Sequence, residues 1–274
     1  MLSRAALIAN SIELGLIVAG LLLAWQLVFS PAARARRSAT PSTLPAWDAT
    51  PGDFLMFLWV VVCGGILAQV LSTLLFTPLA LSEDGKLVFA NVALQMGELA
   101  GVALYYCGLK GGRLPRDFAP GKILLSGAAT FAIAIPFVTL VGLIWQLLMQ
   151  LCGLPVEKQE IIGRLVNAES PALLAGMIAL ATLTAPIAEE LVFRAGIFRY
   201  VRTRLPRWGA LLLPACLFAA LHQNLASFAQ LVVLGIIFSL AYERTGRIGT
   251  AIVAHALFNA QSVVLVLIDP SAAN

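Results

Sequence analysis

Long apolar runs broken by short charged clusters set the pattern of this chain. Largely apolar stretches fall at 12–29, 54–80, 88–108, 122–150, 172–192, 208–226, 228–242 and 249–268. Most come close to the ~20 residues an α-helix needs to cross a bilayer core, while the sixth and seventh are short and close together. The pattern predicts an all-α fold, a polytopic membrane helix bundle of about eight transmembrane helices.

The charges between the runs test that reading. Arg34, Arg36 and Arg37 lie in 30–53, Lys110, Arg113 and Arg116 in 109–121, Arg194, Arg199, Arg202, Arg204 and Arg207 in 193–207, and Arg244 and Arg247 in 243–248. These are alternate loops. The intervening ones, at 82–86, 152–171 and 223–227, are acidic, mixed or neutral. Cytoplasmic loops carry the excess of Lys and Arg, so eight helices with both termini outside satisfy the bias throughout. Arg4 followed by an apolar stretch resembles a signal peptide, but Arg34, Arg36 and Arg37 outweigh it. We therefore read 12–29 as the first span of an integral protein of the plasma membrane.

Composition agrees. Of 274 residues, 60% are hydrophobic and 12% charged, against about half and a quarter in a soluble domain. The net charge of +4 is accounted for by loop residues, so the bilayer is the expected partner and no nucleic acid is. The stretch 31–53, rich in Pro, Ala, Ser and Thr, reads as a flexible basic linker after the first helix. Cys63, Cys107, Cys152 and Cys216 form no CxxC pair and read as small apolar residues inside the bundle.

Ionisable side chains within membrane spans are costly and mark function by default. Glu13 and Glu98 stand alone. Glu189 and Glu190 close an apolar run, with Arg194 one turn later. Glu190 and Arg194 are spaced i, i+4 and can pair along one helix face. Glu189 lies about 100° round the helix and lacks such a local partner. Desolvation of an unpaired carboxylate suits a general base near neutral pH. The two histidines of the chain are His222, four residues after Phe218, and His255, four before Asn259. Glu189 and His222 are symmetric about Leu205–Pro206. An antiparallel hairpin turning there would put them at one level, each roughly 25 Å from the turn.

The combination Glu189-Glu190-x-x-x-Arg194, Phe218-x-x-x-His222 and His255-x-x-x-Asn259 resembles the CPBP family, that of type II CAAX prenyl proteases (Rce1-like) and bacteriocin-processing or immunity (Abi) proteins. The resemblance covers roughly 155–268, leaving 1–154 as variable N-terminal helices. It implies an intramembrane endopeptidase acting on a membrane-associated peptide or protein. Glu189 and His222 would activate water, His255 and Asn259 would stabilise the oxyanion, and Glu190, Arg194 and Phe218 would support the site. It leaves the cofactor open. Zinc held by Glu189, His222 and His255 is one chemistry, and a metal-free glutamate mechanism is the other. The soluble-protease HExxH pattern is absent.

The alternative class is non-catalytic: a membrane scaffold or immunity protein, or a proton-coupled transporter. A base, its partner and oxyanion donors together favour hydrolysis. The lack of an internal repeat disfavours a transporter.

Overall fold

The computed structural model describes residues 3–40, 42, 44–79, 81–110, 119–157 and 160–269, and contains no strand among them. The helices are α1 (Arg4–Phe29), α2 (Pro31–Ala39), α3 (Pro51–Phe76), α4 (Glu83–Leu109), α5 (Pro120–Leu151), α6 (Glu160–Val166), α7 (Pro171–Val201), α8 (Arg207–Leu221), α9 (Leu225–Thr245) and α10 (Ile248–Ile268). Seven of these are long and apolar enough to cross a membrane, and α8 is a shorter apolar helix. The protein is an integral, multi-pass helical bundle of about eight spans.

Local chemistry explains where the helices begin. Ser3, Ser82, Ser170 and Asn224 cap α1, α4, α7 and α9 through their side-chain oxygens. Thr50 and Asp53 form a capping box at α3. Proline at the first position of α3, α5 and α7 costs no hydrogen bond, because that N–H has no helical acceptor.

The first span begins at Arg4 rather than at 12, and two further boundaries near the site differ from the sequence pattern. The fifth span runs on to Val201, so Arg194 lies inside a helix and is buried rather than sitting in a loop. The sixth stops at Leu221 after 15 residues, about 22 Å and short of a full crossing. Gln223 then takes a left-handed conformation, φ 51°, which turns the chain into α9.

Glycines set two close contacts. A Cβ at Gly97 would lie 2.2 Å from the Gly64 carbonyl oxygen, and one at Gly101 2.7 Å from Val61 Cα. Backbone thus meets backbone between α3 and α4. A Cβ at Gly196 would lie 2.5 Å from Phe57, so α7 seats against α3 only because that position is bare. Helix α5 packs against α1, α9 and α10.

The stretch after α1 is not a flexible linker. Its first part is α2, and residues 44–50 form a strap held across the ends of α7 and α9. Arg202 donates to the Leu44 carbonyl at 2.8 Å, Arg204 to that of Ala49 at 2.6 Å, and Arg244 to that of Thr40 at 2.8 Å. Trp47 inserts among Phe54, Phe57, Tyr105, Tyr106 and Tyr200. Arg113 and Arg116 lie outside the described residues. The cysteines are free, and Cys63, Cys107 and Cys152 are exposed on the bundle rather than inside it. Cys152 caps the end of α5, and a small apolar side chain is tolerated at exposed positions of an apolar helix as well as inside.

Candidate active site

The site is assembled from α7, the C-terminal end of α8, and α10. Helix α7 departs from regular geometry there. Leu180–Thr184 and Leu191–Phe198 are π-helical, bracketing a short α segment that carries Pro186, Glu189 and Glu190. Pro186 lacks an N–H, and its ring conflicts with the carbonyl four residues back, so the ladder cannot stay regular. Such wide turns concentrate at functional sites.

Glu190 lies at the centre of a buried net. Its Oε1 accepts from Arg194 Nη1 at 2.8 Å and from His255 Nδ1 at 2.9 Å. All three residues are buried. The Arg194 guanidinium stands 4.5 Å over the Phe218 ring and 5.4 Å over that of Phe238, which supplies a desolvated cation with a polarisable face. Phe218 also meets the rings of His222 at 4.8 Å, His255 at 5.8 Å and Phe193 at 5.4 Å. One aromatic therefore touches both imidazoles and the arginine.

Glu189 points elsewhere. It is a quarter exposed, and its Oε2 lies 3.8 Å from His255 Nε2. That oxygen is buried and makes no hydrogen bond within the described protein. The imidazole beside Glu189 is thus His255, where the hairpin argument favoured His222. The hairpin turns as expected, but α8 ends at Leu221 and His222 falls in the turn that follows. Its backbone N–H goes to Ala219, and its ring Nδ1 donates to the Phe218 carbonyl at 2.8 Å. A carbonyl only accepts, so in the neutral ring Nε2 carries the lone pair. Asn259 donates from Nδ2 to the Ala181 carbonyl at 2.8 Å.

Glu189, His222, His255 and Asn259 all line one cavity of about 620 Å³, a size that suits a small-molecule or peptide segment. Amides from other helices complete the wall, among them Asn91 and Gln95 of α4 and Gln230 of α9. Gln95 accepts from the Thr184 hydroxyl, tying α4 to the distorted part of α7. The motifs did not reveal Gln95, Gln230 or the Glu190–His255 bond. A lone amide within an apolar run was the available signal for the first two.

Among the described residues, no three His, Cys, Asp or Glu side chains converge as a metal-binding set, and this includes Glu189, His222 and His255. The donors as placed do not fit a zinc site, so no step below runs through a metal.

Fold and site together define a polytopic membrane protein with a carboxylate–imidazole centre facing an embedded cavity. Residues 171–261 match the family model described as Type II CAAX prenyl endopeptidase Rce1-like. A curated protein of Bacillus subtilis (strain 168), named "Putative membrane peptidase YdiL", is 31% identical over 91 residues, 33% of this chain and 37% of that protein. The chain therefore matches little more than a third of that relative's length. No solved structure matches. Over residues 171–261 the chain is therefore similar to the Rce1-like family and to a membrane peptidase.

Proposed function

We propose that the protein is an intramembrane endopeptidase that hydrolyses a peptide bond of a membrane-associated peptide or protein, with 155–268 as its catalytic core and 1–154 as accessory helices. The observation that carries this reading is Glu189 Oε2, a buried carboxylate oxygen without a hydrogen-bond donor at the wall of a cavity shared with His222, His255 and Asn259. A base within one hydrogen bond of a water needs such a placement.

In this reading Glu189 takes a proton from water, and His222 Nε2 helps to orient that water. The hydroxide oxygen adds to the scissile carbonyl carbon. His255 Nε2 and the second Nδ2–H of Asn259 are the donors offered to the resulting oxyanion. With Nδ1 held by Glu190 Oε1, donation from Nε2 needs a proton on each ring nitrogen. The C–N bond then breaks, and Glu189 returns its proton to the leaving amine. Glu190 and Arg194 hold His255 and the helix. Both termini lie outside, as the arginine-rich loops suggest.

The test is Glu189→Gln, assayed on membrane-reconstituted protein with a panel of peptides. Loss of cleavage by about 10²–10⁴-fold, with thermal stability unchanged, is the expected result. Retained cleavage would remove Glu189 as the base, and no cleavage of any peptide by the wild type would return the reading to a scaffold.

A further inference from the structure

The carbonyl of Ala181 is left without a helical donor by two features of its own sequence. In a regular α-helix it would accept from the N–H of Ala185. Here that N–H goes to Leu180, five residues back, as the π turn requires. The next residue able to close a wide turn on Ala181 is Pro186, which has no N–H. Ala181 is half-buried and lines the cavity, so its carbonyl lies within reach of a side chain from a neighbouring helix. Asn259 reaches across from α10 and supplies the missing donor at 2.8 Å.

We propose that Asn259 is a positioning residue, locking the wide turn of α7 through the Ala181 carbonyl and so fixing the rotational setting of Glu189. By occupying that carbonyl, it blocks the return of Ala185 N–H to the regular register. A wide turn holds one extra residue. Annealing it would rotate everything downstream by about 100° relative to the residues before it. Glu189 would leave the cavity wall, and Glu190, carried round together with Arg194, would leave His255. Pro186 and Asn259 are thus complementary, one removing a donor and the other replacing it from a neighbouring helix. The catalytic part of this inference rests on the endopeptidase reading, whereas the hydrogen bond itself does not.

The experiment is a double-mutant cycle of Asn259→Leu and Pro186→Ala, read in thermal stability and in peptide cleavage. Asn259→Leu keeps the size and removes the donor. It should lower the melting temperature and reduce kcat at least tenfold with KM little changed. Pro186→Ala returns a backbone N–H beside the Ala181 carbonyl. In that background Asn259→Leu should cost much less in stability, and kcat should recover several-fold over the single variant but not fully, because the oxyanion donor stays lost. Equal stability losses in the two backgrounds would overturn the proposal. So would a full loss of kcat without any loss of stability, because Asn259 would then act only on the reacting atoms. If the protein cuts no peptide, the stability cycle still reads the bond.

Should Pro186→Ala fail to fold, Asn259→Asp replaces it. A protonated carboxyl can donate to Ala181, whereas a carboxylate cannot. Its stability deficit relative to wild type should shrink as pH falls and grow as pH rises. A deficit that does not change with pH would overturn the proposal.

Discussion

Helix α7 and the turn that follows it carry arginines at two levels, and the protein uses them in opposite ways. Arg194, deep in the bundle, has a single carboxylate partner and two aromatic faces, and is 1% exposed. Arg202, Arg204 and Arg207, at the helix end and beyond, bind backbone carbonyls of the strap and the side chain of Glu243. The inner arginine cannot regain water if its partner is lost. The outer ones can. The same residue type therefore stabilises by necessity in one place and by convenience in the other.

The largest effect should come from breaking the inner pair on one side. Arg194→Met leaves Glu190 as a buried anion opposite only His255. One-sided loss of a buried pair costs about 3–5 kcal/mol. Purified protein should be scarce, and any recovered should melt far below the wild type. Replacing both partners, Arg194→Met with Glu190→Leu, removes the stranded charge and should recover part of that loss. Recovery should stay incomplete, because His255 Nδ1 loses its acceptor. A double variant no better than the single would mean that the Glu190–His255 bond, rather than the ion pair, supports the site.

Phe218→Leu sharpens the same point. It leaves every charge in place but removes the face under Arg194 and the contact with both imidazoles. We expect a loss of about 2 kcal/mol from lost packing and cation–π attraction. A change within error would show that Phe238 alone can carry the guanidinium.

The difference between the two levels also explains what the sequence could disclose. Local spacing disclosed local partners: Glu190 and Arg194, four apart on one helix, do pair. The bundle class and the seven long spans followed from apolar run lengths, since lipid demands helices of a set length. Run length failed where protein, not lipid, surrounds the chain. The apolar run 208–226 does not show that Gln223 would turn left-handed and end α8 early. Nor does it show that α7 would continue past a motif arginine. Long-range geometry was the other blind spot. The arginines of 193–207 carry a topology signal, but their hydrogen bonds to residues 44–49, some 150 positions away, have no local signature. The pairing of Glu189 with His255 rather than His222 depends on helix offsets and on the wide turns of α7. A one-residue wide turn leaves no mark on hydropathy, although Pro186 within an apolar run hints at one.

The smallest effect should come from the outer level, and salt isolates it. Glu243 faces Arg207 at 2.6 Å and Arg202 at 3.4 Å. Glu243→Gln removes both ion pairs but can keep a hydrogen bond. The cost should be about 1 kcal/mol or less. Screening shortens from about 10 Å at 0.1 M salt to about 3 Å at 1 M. The gap in melting temperature between wild type and Glu243→Gln should therefore narrow at 1 M salt. The bonds of Arg204 to the Ala49 and Tyr200 carbonyls, and its stacking on the Tyr200 ring at 4.0 Å, involve no anion. Arg204→Ala should therefore open a gap that salt hardly closes. If both gaps respond alike, the strap is held by charge at large, and the division drawn here between ion pairs and carbonyl contacts at the helix end fails.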